Sequence, residues 1–226
     1  MANLFSRFGV FSLAISAALF CSAADAASKK KPKTFTPGKA RWEIKTTIPA
    51  NAKISQAKQV DLKTVLTIKP PPGAKGHSRL MDHKRYPRAA NAFGLAEGDI
   101  ISVSGWIHLI AAEEDGDYHI QIAQTQNSQE RCFIVEVPRP AQRFVKDARV
   151  RKAAAVVRKA IQSRALSGKD LKLGAARSLK SPVFAKVTGQ FFYDDWHIGD
   201  KPRGKKGCKS PTVTEVHPVM RIVFPQ

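Results

Sequence analysis

Three histidines in this chain follow closely on acidic residues: His119 in Asp115-Gly116-Asp117-Tyr118-His119, His197 in Asp194-Asp195-Trp196-His197, and His217 in Glu215-Val216-His217. Imidazole and carboxylate groups held together can ligate a divalent metal or move protons as general acids and bases. The candidate metal ligands are Asp117, His119, Asp195, His197 and His217, and the candidate acid–base residues are His119, Glu136 and His217. A mixed histidine and carboxylate set suits zinc or manganese, and such an ion beside Arg203 and Lys205 would suit phosphodiester cleavage. No recognised ligand spacing is present. Nor is there a glycine-rich phosphate loop, nucleophile elbow, Cys-x-x-Cys or His-Glu-x-x-His. The plainer account is preferred: His119 and His217 are structural partners of carboxylates, the loop acids cap turns, and no cofactor is expected.

Alternating strands must position these residues. From Asp99, the apolar residues Ile101, Val103, Ile107 and Leu109 alternate with Ser102, Ser104, Trp106 and His108, which reads as a half-buried strand. Tyr118, Ile120 and Ile122 then alternate with His119 and Gln121, and Phe133, Val135 and Val137 with Ile134 and Glu136. Pro138 and Pro140 end that meander, residues 141–166 spell one basic helix, and residues 183–193 and 213–224 read as two more strands. The order strand, strand, strand, helix, strand, strand predicts a mainly β domain over 99–226. Its expected form is a five-stranded OB-like barrel, the oligonucleotide/oligosaccharide-binding type.

A turn centred between Asn127 and Ser128 sets His119 opposite Glu136. In such a barrel the third and fifth strands run parallel, which brings Glu215 and His217 near Glu136 and Cys132 near Cys208. A Cys132–Cys208 disulfide is therefore expected. The loops expected to flank the ligand face hold Glu113, Glu114, Asp115 and Asp117 on one side. On the other they hold Asp194, Asp195, His197 and Asp200, followed by Lys201, Arg203, Lys205 and Lys206.

Upstream of the barrel, residues 1–26 read as an export signal, with Arg7 ahead of an apolar run from Phe8 to Phe20 and small residues ending at Ala26. That run is too short to cross a bilayer, which takes about 20 apolar residues. Residues 27–41 read as a flexible basic arm, and residues 42–98 as a poorly defined extension with one or two short strands before Pro70. A helical turn is expected at 89–93. An exported chain with paired cysteines belongs in the periplasm or outside the cell. Its formal net charge of +20 makes a polyanion the natural partner.

The motifs Gly105-Trp106, Asp115-Gly116-Asp117-Tyr118-His119, Val135-Glu136-Val137-Pro138, the run from Val187 to His197 and Glu215-Val216-His217-Pro218-Val219 resemble those of a widespread group of uncharacterised secreted bacterial proteins. The resemblance covers about residues 99–224. It implies export and a small β-rich domain, and no activity.

Two functions compete. One is a non-enzymatic binding module for an anionic ligand such as nucleic acid or an acidic glycan, using Lys201, Arg203, Lys205, Lys206, the helix and the arm for charge, with Trp106 and Trp196 as stacking surfaces. The other is a metal-assisted hydrolase built on the histidine and acid cluster.

Overall fold

The computed structural model describes residues 40–87, 91, 93–127 and 131–225. The expected signal, nearly all of the basic arm and most of the expected turn at 89–93 lie outside the described residues.

The fold is mainly β. Its strands are β1 (Lys58–Gln59), β2 (Ile100–Ala112), β3 (Tyr118–Ala123), β4 (Phe133–Val137), β5 (Ala176–Tyr193) and β6 (Thr214–Val223), with helices α1 (Trp42–Lys45), α2 (Leu62–Val65) and α3 (Ala148–Ala165). They form one mixed sheet in the order β1-β2-β3-β4-β6-β5, in which β2 also pairs with β5. Each of the five long strands therefore has a partner on both sides, and β1 is a short parallel addition beside β2.

Period-two alternation decides which residues face inward. Ile101, Val103, Ile107, Ile120, Ile122, Val135, Val137, Val187, Phe191 and Val216 share one buried cluster with Ala154, Val157 and Ile161 of α3. Leu62, Val65, Leu66 and Ile68, around α2, join the same cluster. Of the one or two short strands expected between 42 and 68 there is one, the two residues of β1, and the rest of the segment holds α1, α2 and a 3-10 turn at Ile54–Gln56. That segment buries its apolar residues from turns, so it has no period to read.

Two boundaries also move. The helix expected from residue 141 starts at Ala148, because the Asp147 side chain accepts a hydrogen bond from the Arg149 amide and caps it there. The strand expected from residue 183 begins at Ala176 and passes through Pro182. Val183 pairs with Ile107 and Ser178 with Leu109, so the four residues between them, Pro182 included, form a bulge that needs no ladder hydrogen bond from proline.

Gly189 shows how tightly β5 meets β6. A Cβ there would lie 2.3 Å from the Pro218 carbonyl oxygen and 2.6 Å from a Val216 methyl, so only glycine allows this approach. No helix among the described residues is long and apolar enough to cross a membrane.

Candidate functional site

His119 on β3 pairs in register with Glu136 on β4, and β4 runs parallel to β6 with Ile134 beside Glu215. These pairings place His119, Glu136, Glu215 and His217 together, on the strand face opposite Tyr118, Val135 and Val216. The His119 ring lies 2.9 Å through Nδ1 from Glu136 Oε1 and 3.3 Å through Nε2 from Gln121 Oε1. His217 sits between carboxylates, its Nε2 3.3 Å from Asp117 Oδ2 and its Nδ1 3.1 Å from Glu136 Oε2 and 3.6 Å from Glu215 Oε2. All four strand residues are buried, as is Asp117.

Cations enter from other elements. Arg203, in the β5–β6 loop, donates through Nη2 to Asp194 at 2.6 Å and to Glu215. Lys205 reaches Glu113 at 3.1 Å, and Lys45 of α1 lies 3.7 Å from Asp115. Gln121 fastens this loop by donating to the Lys205 and Cys208 carbonyls. Cys132 and Cys208 form the expected disulfide, with 5.4 Å between their Cα atoms, so the loop's far end is covalently tied to the start of β4.

Six carboxylates (Glu113, Asp115, Asp117, Glu136, Asp194, Glu215) thus meet three permanent cations and two histidines. Burial opposes charge on both imidazoles. The Glu136 hydrogen bond and the Glu113 charge outweigh it at His119, and the carboxylates of Asp117, Glu136 and Glu215 outweigh it at His217, so both pKa values rise, that of His217 strongly. Burial also opposes ionisation of Glu136, but His119 and His217 hold its pKa well below the usual carboxylate range. For Glu215 burial is outweighed by Arg203, and its pKa falls. Burial pushes Asp115 up to about 7, helped by the neighbouring charge of Asp117. Only the imidazolium form of His217 can present an N–H toward carboxylates on both sides of the ring.

Asp117, Glu136 and His217 also form the one group among the described residues that could hold a metal ion, each with a ligand atom within 4.8 Å of the others. Asp117 Oδ2 and both His217 ring nitrogens make ion-pair approaches without hydrogen-bond alignment.

The other candidates lie elsewhere. Asp195 accepts a 2.6 Å hydrogen bond from the Tyr86 hydroxyl and faces Arg41. His197 is half-exposed and pairs with Asp200 at 2.8 Å and Asp194 at 3.6 Å. Of the expected metal set, Asp117 and His217 fall in the group that could hold an ion, while His119, Asp195 and His197 stand outside it, the last two on the 3-10 turn Asp195–His197 after β5. The tryptophans expected as stacking surfaces are both partly buried, Trp106 in a T-shaped contact with Phe184 at 5.2 Å and Trp196 in one with His77 at 5.0 Å. Arg203 and Lys205 are occupied by acids of the same chain, while Lys201 and Lys206 remain exposed.

Sequence reasoning missed a second buried ion pair. Arg41, assigned to the flexible arm, belongs to the folded body. Its guanidinium donates to both Glu97 oxygens at 2.7 and 2.6 Å and to the carbonyls of Tyr193, Lys84 and Met81, so all five of its N–H groups have acceptors. Glu97 also accepts from the amides of Tyr86 and Tyr193. These contacts hold Arg41 at a φ of +52°, an uncommon value for a residue with a side chain. The only sequence signal was the change from lysine and proline to Trp42 and Ile44 directly after it.

The chain matches no protein-family model, no curated protein and no solved structure.

Proposed function

We propose that this chain is an exported, non-enzymatic OB-like module that binds a polyanion through the face built by α3 and the start of β5. The observation that carries the proposal is the segregation of charge. Residues 138–190 contain 14 basic and only two acidic residues, so this stretch holds +12 of the chain's +20. Lys152, Lys159 and Arg164 lie exposed along α3, and Arg177, Lys180 and Lys186 lie exposed on β5. The β5–β6 loop, by contrast, directs Arg203 and Lys205 into the acid and histidine cluster, which leaves that cluster nearly self-compensated. The strand order and the ring of pairings support the OB-like reading. A disulfide buried beside Ala123 supports an oxidising compartment.

A second reading, a metal-assisted hydrolase of phosphodiesters, is favoured by the Asp117, Glu136 and His217 group, whose donors suit zinc or manganese. Against it stands closure: Asp117 and His217 are wholly buried, and a catalytic metal keeps an open position for water or substrate. The test is affinity for a nucleic acid and for an acidic glycan across a salt series, with metal content and chelator-sensitive plasmid nicking measured on the same protein. The binder predicts affinity that falls linearly in log salt, no stoichiometric metal and no nicking. Stoichiometric metal with chelator-sensitive nicking would establish the hydrolase instead.

A further inference from the structure

Beside α3 lies an open groove of about 530 Å³ bounded by Arg139 and Pro140 after β4, by Arg158, Lys159 and Gln162 on the helix, and by Asp170 at one end. Arg158 is unusual within it. Its side chain is 7% exposed and its guanidinium lies 3.5 Å from the centre of the Tyr118 ring. One nitrogen, Nη1, donates inward to the carbonyls of Gly116 at 2.9 Å and Val137 at 3.3 Å. Nε and Nη2 donate no hydrogen bond among the described residues; the nearest acid, Asp170, stands 3.6 Å from Nη2, and its carboxylate accepts instead from the Tyr118 hydroxyl. Three of its five N–H groups are therefore unused, and since neither Nε nor Nη2 is among the buried atoms without a partner, this edge of the guanidinium is open to the groove. Burial lowers its pKa, and Tyr118 and Asp170 do not fully offset that.

Resting on the binding function proposed above, we propose that this groove is the subsite that holds phosphoryl groups of a phosphodiester backbone, with the free edge of Arg158 as a fixed two-pronged donor. Lys159 and Arg139 supply charge beside it, and Gln162 supplies a neutral amide. A guanidinium edge matches two phosphoryl oxygens in plane. The lining contains no aromatic side chain, so the groove offers neither a base nor a sugar ring a surface to stack on. Recognition there is of the charged backbone. Asp170, 52% exposed at the groove's end, is the intramolecular competitor that an incoming phosphoryl group displaces from Arg158.

The experiment measures binding of a short labelled DNA duplex to the whole protein and to Lys159→Ala, Asp170→Asn and, as a charge-matched control, Lys69→Ala. Both groove positions and the control are exposed, so the variants fold, and circular dichroism verifies it. Lys159→Ala is expected to weaken binding severalfold and to reduce the log–log salt slope by about 1. Asp170→Asn keeps an acceptor for Tyr118 and removes the competing charge, so it is expected to tighten binding about twofold to fivefold. Free inorganic phosphate is expected to compete less well against Lys159→Ala than against the parent. If the parent binds duplex but both groove variants behave like Lys69→Ala, the subsite is overturned and the binding function stands. A uronate polymer bound as tightly as duplex overturns the phosphoryl assignment, and a parent that binds no polyanion overturns both proposals.

Discussion

His217 is a residue whose charge is set by what surrounds it. With Asp117 on one side of its ring and Glu136 and Glu215 on the other, it stabilises the fold as a cation. Both histidines have folded pKa values raised above the ordinary 6.5, so their contribution is complete below pH 6.5 and is lost as pH rises through the folded values. Asp115, raised from 3.8 to about 7, also removes stability as pH climbs through that interval. Glu136 and Glu215 act oppositely, contributing above pH 4.5 and losing that contribution as pH falls through their depressed values. Melting temperature measured against pH is therefore expected to peak on the mildly acidic side and to decline above pH 6.5, and His217→Asn to flatten the alkaline decline. A parent whose melting temperature rises steadily from pH 6 to 9 would show that His217 is neutral in the fold. His119→Ala leaves the buried Glu136 short of a hydrogen-bond partner and is expected to cost about 1 to 3 kcal/mol in denaturant unfolding.

At the scale of elements, Arg41 fastens the start of α1 to Glu97 and to the carbonyls of Tyr193, Lys84 and Met81. Glu97→Ala leaves a buried guanidinium without its carboxylate and is expected to cost about 3 to 5 kcal/mol, read by chemical denaturation. Reducing Cys132–Cys208 frees a 76-residue separation and is expected to lower stability by about 4 kcal/mol on the chain-entropy model without preventing folding. Free thiols in the denatured, unreduced protein would remove the bridge. The pairing of His119 with Glu136 and the disulfide were legible in the sequence because strand alternation and one turn fix a register, and register fixes neighbours. Lys45, Arg41 and Glu97 were not legible, because they lie in short turns with no period and reach their partners only through tertiary packing. The three long meander strands were readable for the same reason that residues 42–98 were not: an alternating pattern marks a sheet face, whereas Leu62, Val65 and Ile68 enter the core from a single helical turn and the residues just after it.

For the molecule as a whole, the distribution of charge matters more than its total. The sequence shows that +12 of the +20 falls in residues 138–190 but not which cations are paired; folding commits Arg203 and Lys205 to Asp194, Glu215 and Glu113 and leaves Lys152, Lys159 and Arg164 of α3 and Arg177, Lys180 and Lys186 of β5 exposed. On the proposed binding function, the exposed cations of the helix take the role that the sequence reading gives to Arg203 and Lys205. The most direct measurement is the salt dependence of polyanion affinity for the parent, for a variant carrying Lys152→Ala, Lys159→Ala and Arg164→Ala, and for one carrying Lys201→Ala and Lys206→Ala. The account predicts that the helix variant binds far more weakly, its log–log slope shallower by up to about 3, while the loop variant stays close to the parent. A loop variant that loses binding while the helix variant keeps the parent's slope would contradict it.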